Sequence, residues 1–469
     1  MKHILASLFA VLSLGIFADG PKYVFLFIGD GMSVPQRMIA DEFSRKTGNG
    51  PLAMNSMPCS AMTRTCSANS LVTDSAAAAT AIACGGKTNN GMLGVDPEGK
   101  KLMSCAHAAK EDGKKVGIIS TVTITHATPG GFYAHRKSRG DTYGIAVDLA
   151  ESGFDFFAGG GLDTKNSKSR KHKDYDGRGE AYAYAEKRGY RIVETKDEFL
   201  ALKRGEGKVL TRFTNSALGY SIDADGSEPT IAQLVAKAIE VLDNDEGFFI
   251  MAEGGRIDWA GHANDAATNM RDVLALDEAV KTALEFQRRH PEETLVVVTG
   301  DHETGGMTMG FAGTGYALHI GLLANQTMSE GAFSDKFRQY FRDKKGQVAF
   351  EDIKPIITEA FSFNFGGEDA KGEIELTEKD VREIKEAFDH DIRFHIAKRQ
   401  ENPKYDGEKR YLLGGVCRRI ICNKCGIGWT SGAHTAMPVL TTAKGVGQEK
   451  FSGYIDNTDI SKFIKSFYE

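Results

Sequence analysis

The chain has 469 residues, 41% of them hydrophobic, with 58 Lys+Arg against 63 Asp+Glu and a formal charge of −5. A balance so close to neutral argues against a polyanion-binding surface or an acidic tail, and the apolar fraction excludes disorder as the main state. Fifty-three glycines against 11 prolines carry no period, which excludes collagen-like and low-complexity chains and suits a protein with many loops.

Taken in chain order, the first element is an apolar run from Ile4 to Phe17, preceded by Lys2 and His3 and closed by Ala18. It is too short to span a bilayer and has the layout of a secretory signal, so residues 1–18 are expected to be a signal peptide and the rest an exported protein. No later stretch is apolar for long enough to cross a membrane. Short Val-, Ile- and Phe-rich runs follow at Tyr23 to Ile28, Val116 to Ser120, Phe154 to Ala158, Phe248 to Ala252 and Leu295 to Thr299. Helical periods lie between them, at Met103 to Glu111, Thr230 to Leu242 and Met270 to Phe286. This alternation predicts an α/β three-layer sandwich around a central, mainly parallel sheet covered on both faces. In such sheets ligands bind beyond the carboxyl ends of the strands, which is where this chain keeps its polar clusters.

Two segments read as insertions. Residues 163–230 open on a basic polar loop and continue as a short helix-strand alternation; sparse aromatics and net acidity argue against nucleic-acid binding there. Residues 312–430 lack strong strand patterning and hold amphipathic stretches such as Asp380 to Phe388, so they are expected to form an inserted cap or a subunit contact. Otherwise residues 19–469 are read as one catalytic domain. Seven cysteines leave at least one without an intramolecular partner, and Cys422-Asn423-Lys424-Cys425, with Cys417 nearby, is expected to form a local disulfide because the second CxxC of a zinc ribbon is missing.

The chemistry-bearing residues follow the predicted strands. Ile28-Gly29-Asp30-Gly31 sets a carboxylate between two glycines, suited to holding a cation. Asp258 and His262 are four apart, so on a helical turn both project from one face and can share a metal. Asp301 and His302 follow the strand at Leu295 to Thr299, and His434 sits in the small-residue run Ser431-Gly432-Ala433-His434-Thr435. Together these provide enough nitrogen and oxygen donors for two zinc sites, with oxygen-rich positions left for magnesium. Ser75 opens an alanine-rich, strongly helix-forming run, where the helix N-terminus favours an anion; Asp74 or Ser75 can equally be a simple N-cap. No GxSxG is present, and Gly85-Gly86-Lys87-Thr88 fails as a phosphate-binding loop because Ala81 stands where the first glycine is required.

These segments, in order from about Lys22 to Tyr454, resemble the alkaline phosphatase family. The resemblance is carried by Asp30-Gly31-Met32, Asp74-Ser75-Ala76-Ala77, His126-Ala127-Thr128-Pro129 with Tyr133-Ala134-His135, Glu253-Gly254-Gly255-Arg256-Ile257-Asp258, Thr299-Gly300-Asp301-His302-Glu303-Thr304-Gly305-Gly306 and Ser431-Gly432-Ala433-His434-Thr435. It implies a phosphomonoesterase of broad specificity, acting through a phosphoserine at Ser75 with two zinc ions and one magnesium ion. By the same resemblance, Asp258, His262 and His434 hold the first zinc. Asp30, Asp301 and His302, joined by Ser75, hold the second, and Asp30, Thr128 and Glu253 hold magnesium. Arg139 takes the place of the phosphate-binding arginine, and a homodimer is implied. His126 and Trp259 stand where family members differ, which leaves the third metal open; His126 is read as a hydrogen-bonding residue beside that site, and the absence of Lys at 259 is expected to weaken binding of the phosphate product. The alternatives are a phosphodiesterase or a sulfatase of the same superfamily. A sulfatase would need a C/S-x-P-x-R context that Ser75-Ala76-Ala77-Ala78-Ala79 does not provide, and a diesterase would usually present Thr. A non-catalytic metal- or phosphate-binding protein would have no need of Ser75 together with Arg139.

Overall fold

The computed structural model describes residues 20–163, 177–366, 372–399 and 412–468. The expected signal peptide and most of the basic loop at 164–173 lie outside the described residues. Among the described residues ten strands form one sheet: β1 (Tyr23–Gly29), β2 (Cys59–Arg64), β3 (Lys115–Ser120), β4 (Phe156–Ala158), β5 (Tyr190–Val193), β6 (Lys208–Thr211), β7 (Phe248–Gly254), β8 (Thr294–Gly300), β9 (Val439–Gly445) and β10 (Gly453–Asp456). Their order is β10-β2-β9-β8-β1-β7-β3-β4-β6-β5. Every pairing is parallel except the two made by β9, with β2 and with β8.

The run Tyr-Val-Phe-Leu-Phe-Ile of β1 is buried on both sides because successive side chains enter different cores. Tyr23, Phe25 and Phe27 join one apolar cluster with Leu234, Val273 and Leu276, on the helices Ile231–Leu242 and Ala266–Arg289. Val24, Leu26 and Ile28 join the other with Ile82, Leu149 and Ile460, on the helices Ser75–Cys84, Thr142–Glu151 and Asn457–Lys465. The result is the expected layering of helices, sheet and helices.

The sheet extends further than the sequence patterns suggest. Part of the segment read as an insertion at 163–230 is sheet, since β5 and β6 continue the parallel ladder from β4. Residues 312–430 hold the helices Glu330–Asp343, Phe350–Phe361, Glu378–Arg399 and Leu413–Cys425, and Phe333, Phe337, Phe361 and Phe388 carry the first core into them. The local disulfide is not formed. Cys417, Cys422 and Cys425 all lie on the helix Leu413–Cys425, their side chains are buried in the apolar core, and all seven cysteines are free thiols. No helix among the described residues is long and apolar enough to cross a membrane.

Candidate active site

Sheet register brings the acidic residues together. Gly29 on β1 pairs with Gly254 on β7 and with Gly300 on β8, so three neighbouring strands end at one level. Asp30, Glu253 and Asp301 therefore gather at the carboxyl edge of the sheet, all fully buried. Gly31 makes the turn after β1 with φ +71°, and a Cβ there would come within 2.8 Å of Thr304 Oγ1 and 2.9 Å of Asp258 Cα. Only glycine combines that conformation with that closeness. Its N–H donates to Asp301 Oδ1 at 3.0 Å, tying the two strand ends together.

Asp258 and His262 do sit on one helix, Arg256–His262, which follows β7 after a single residue. His262 Nε2 lies 3.3 Å from Asp258 Oδ2, His434 Nε2 lies 3.5 Å from Asp258 Oδ1, and the two imidazole nitrogens are 3.2 Å apart. The opposite ring nitrogens face backbone carbonyls: His262 Nδ1 is 2.8 Å from Gly432 O and His434 Nδ1 is 2.9 Å from Thr73 O. A ring that donates from Nδ1 keeps its Nε2 lone pair free, so both histidines could offer Nε2 to one cation.

A second group surrounds His302 Nε2, which lies 3.4 Å from Asp30 Oδ1, 3.2 Å from Asp301 Oδ2 and 3.2 Å from Ser75 Oγ. Ser75 is the first residue of the helix Ser75–Cys84 and is 1% exposed. The cap itself is Asp74, whose Oδ1 accepts from Ala77 N, so the Ser75 hydroxyl is left free to face the cluster.

Among the described residues, atoms that could bind a metal lie within 4.8 Å of one another in three sets: Asp258, His262 and His434; Asp30, Asp258 and His302; and Asp30, His126 and Glu253. Asp258 thus adjoins the second set as well as the first. Both oxygens of Asp30, Asp301 Oδ2, Glu253 Oε1, Thr128 Oγ1 and His126 Nδ1 are buried without a hydrogen-bond partner. Unpaired buried carboxylates are costly, and divalent cations are the groups that satisfy several at once, so the donor set fits resident metal ions. Nitrogen and oxygen donors mix in all three sets, and the Thr128 hydroxyl adds a further oxygen beside Glu253 in the third.

The electrostatics agree with that reading. Burial, and then the neighbouring Asp301 charge, push Asp30 well above the ordinary carboxyl range. Burial raises Glu253 to about 7 and Asp301 to about 8. Burial acts upward on Asp258 too, but its hydrogen bond with His262 and the surrounding imidazoles hold it below the usual range, and the same bond raises His262 to about 8. Burial keeps His302 neutral, and burial with the nearby Arg139 charge lowers His126 to about 3.

Arg139 stands at the mouth of the cluster. Its Nη1 donates to Asp74 Oδ2 at 3.1 Å, and its Nη2 is 3.2 Å from His126 Nε2. Because a guanidinium only donates, His126 Nε2 accepts. His126 therefore bonds Arg139 and also has a ring nitrogen beside the Asp30 and Glu253 carboxylates. Its ring meets Trp259 edge to face at 6.1 Å, and the Arg256 guanidinium lies 4.8 Å from the Trp259 ring.

Several contributors escape the sequence reading. Thr304 Oγ1 donates to Asp258 Oδ1 at 2.5 Å and lies 3.3 Å from His302 Nδ1, linking the first two sets. Ser120, at the end of β3, donates to Glu253 Oε2. The buried Glu303 carboxylate accepts from Gln36 Nε2, Gly306 N, Met307 N and Thr435 Oγ1, which fixes the short pairing of Glu303–Thr304 with His434–Thr435. Thr304 and Glu303 lie inside a run already singled out, and polarity within a buried run was their one signal.

The alkaline phosphatase family profile matches residues 21–469. The chain belongs to the alkaline phosphatase family. It is 31% identical to alkaline phosphatase 4 of Bacillus subtilis over 94% of this chain and 88% of that one. Against the repressible alkaline phosphatase of Saccharomyces cerevisiae the identity is 30%, over 96% and 81%. A cold-active alkaline phosphatase from Shewanella sp. superposes with a TM-score of 0.76 at 26% identity, covering 95% of this chain and all of that one. The Thermus thermophilus alkaline phosphatase gives 0.73 at 27%, over 95% and 91%. This alkaline phosphatase is accordingly an enzyme, a metal-dependent phosphomonoesterase, with residue clusters suited to divalent cations at the carboxyl edge of its sheet.

Proposed function

We propose that the enzyme hydrolyses phosphate monoesters of broad specificity through a phosphoserine at Ser75, with two zinc ions and one magnesium ion in residence. Asp258, His262 and His434 would hold the first zinc. Asp30, Asp301 and His302, with Ser75 beside them, would hold the second, and Asp30, Thr128 and Glu253 the magnesium. The observation that carries this reading is the Ser75 hydroxyl, buried at a helix N-terminus and 3.2 Å from His302 Nε2. A serine serving only as a cap would turn its oxygen back to the helix, and Asp74 already does that.

Bound cations would lower the pKa of the Ser75 hydroxyl and of attacking water and would offset charge on the in-line oxygens. Ser75 Oγ, its proton given up to solvent, forms the bond to phosphorus as the ester P–O bond breaks, and the leaving alkoxide takes a proton from solvent. Water then attacks phosphorus, the Oγ–P bond breaks and inorganic phosphate departs. Arg139, oriented by Asp74 and His126, presents guanidinium N–H groups to the phosphoryl oxygens through both steps. Recognition rests on the phosphoryl group, so the leaving alcohol is loosely specified.

Two structures of the TAB5 enzyme, 25% identical to this chain, carry Glu or Asp in place of a histidine and have magnesium bound in the M3 site. By analogy and by the preference of magnesium for oxygen, His126→Asp is expected to tighten the magnesium dependence here, read as a lower half-saturating magnesium concentration for activity. We further infer export with cleavage after residue 18, checked by N-terminal sequencing of the mature protein, and a homodimer, checked by light scattering.

The deciding assay compares p-nitrophenyl phosphate with a phosphodiester and a sulfate ester, with zinc and magnesium present. The expected result is preference for the monoester, faster at alkaline than at neutral pH. Preference for the diester or the sulfate would overturn the reading.

A further inference from the structure

A cavity of about 610 Å³ opens between the loop from Leu218 to Thr230 and the helix Ala266–Arg289. Its size is that of a small-molecule site. Thr121 lies in its wall and donates from its N–H to Glu253 O, so the cavity backs onto the strand ends while sharing none of the proposed metal ligands.

The lining combines two characters. Leu218, Pro229, Ile231 and Ala275 supply apolar wall, whereas the charged lining groups are all carboxylates, and among the described residues no Lys or Arg lines it. Four of those carboxylates have work elsewhere. Asp223 accepts from Ser329 N, Asp225 from Ser227, Glu228 from Gly219 N, and Glu278 pairs with Lys281. Asp272 is different. It is only 6% exposed, its Oδ1 accepts from Ser221 N and Oγ, and its Oδ2 has no hydrogen-bond partner. An unpaired carboxylate oxygen at that depth asks for a donor, preferably a charged one.

We propose that this cavity is a second ligand site, in which Asp272 receives the ammonium group of an aliphatic amine and the apolar wall takes its methylenes. A bare divalent ion is the poorer occupant. It would need six or more oxygens around a point, and one buried free oxygen with scattered, already engaged carboxylates does not provide them. An ammonium needs few acceptors and brings an apolar stem that the cavity wall can desolvate.

Calorimetric titration of the metal-loaded enzyme with diaminobutane, at low salt and mildly alkaline pH, tests this. Saturable binding at one site per chain is expected, with none for the uncharged isostere butanediol. Asp272→Asn removes the charge, and Ala232→Phe fills the cavity without touching Asp272. Each should weaken binding by about tenfold or more, and turnover of p-nitrophenyl phosphate without diamine should stay within about twofold for Asp272→Asn. Absence of diamine binding would overturn the proposal. Equal binding by Asp272→Asn, or saturable calcium binding that depends on Asp272 while the diamine does not bind, would overturn it as well.

Discussion

At the scale of single residues, the site depends on which atom of each side chain is already engaged. His262 and His434 spend Nδ1 on carbonyls and so present Nε2 to one point, and Thr304 ties Asp258 to the neighbourhood of His302. Thr304→Val keeps shape but loses the donated hydrogen bond. It is expected to lower zinc affinity by about 10–100-fold, measured by chelator competition, with a parallel loss of activity at limiting zinc. Ser75→Ala should reduce turnover by about a thousandfold or more in steady-state assays while zinc content stays the same. Asp30, Glu253, Asp301 and His302 were legible in the sequence because they follow apolar runs closely, where packing alone would not choose them, Asp258 and His262 because of their helical spacing, and His434 from its small-residue setting. Thr304 and Ser120 were not singled out. Their partners lie 46 and 133 residues away, and only the fold makes a hydroxyl in a polar run into a positioning group.

At the scale of elements, one residue serves both a helix and the proposed phosphate-binding Arg139. Asp74 Oδ1 caps the Ser75–Cys84 helix, and its Oδ2 accepts from Gly91 N and from Arg139 Nη1. Two substitutions separate the roles. Asp74→Ala loses the cap and should cost about 1 kcal/mol of stability by thermal or denaturant unfolding. Asp74→Asn can keep the cap through its amide oxygen but sets its NH2 against Gly91 N and Arg139 Nη1, so it should cost less stability than Asp74→Ala while KM for a phosphomonoester changes. An altered stability with unaltered KM would remove Asp74 from substrate positioning. Among strands, β1, β3, β7 and β8 could be read in advance because both faces are buried and the runs are continuously apolar. β2 reads Cys-Ser-Ala-Met-Thr-Arg with only Ala61 and Thr63 buried, and β9 is partly polar, so neither carries a strong period. The CxxC misled for a related reason. Two cysteines three apart suggest a bridge in a loop, but here that spacing falls on a helix whose buried face needs small apolar groups.

At the scale of the whole molecule, the chain stores repulsion where segments from Asp30 to His434 converge, and metal binding and folding are therefore linked. Glu253, Asp301 and His262 have values raised to about 7, 8 and 8. A group raised on folding adds stability at low pH and loses it as the pH climbs through its folded value. His302 and His126 are lowered from 6.5 and already neutral above that point, and Asp258 is already ionised, so none of these opposes the trend there. Chelator-stripped protein should consequently lose thermal stability between about pH 6.5 and 8, and zinc should abolish or reverse the slope, because bound cations keep the carboxylates ionised. A flat profile without metal would show that these groups do not repel one another in the folded protein.

In the proposed reaction Ser75 carries the phosphoryl group between substrate and water. Acid quenching of the metal-loaded enzyme during turnover of a phosphomonoester, followed by mass spectrometry of its peptides, tests it most directly. A phosphoryl group is expected on the peptide containing Ser75, and none in Ser75→Ala. Full turnover with no phosphorylated peptide, or with the phosphoryl group on another residue, would contradict it.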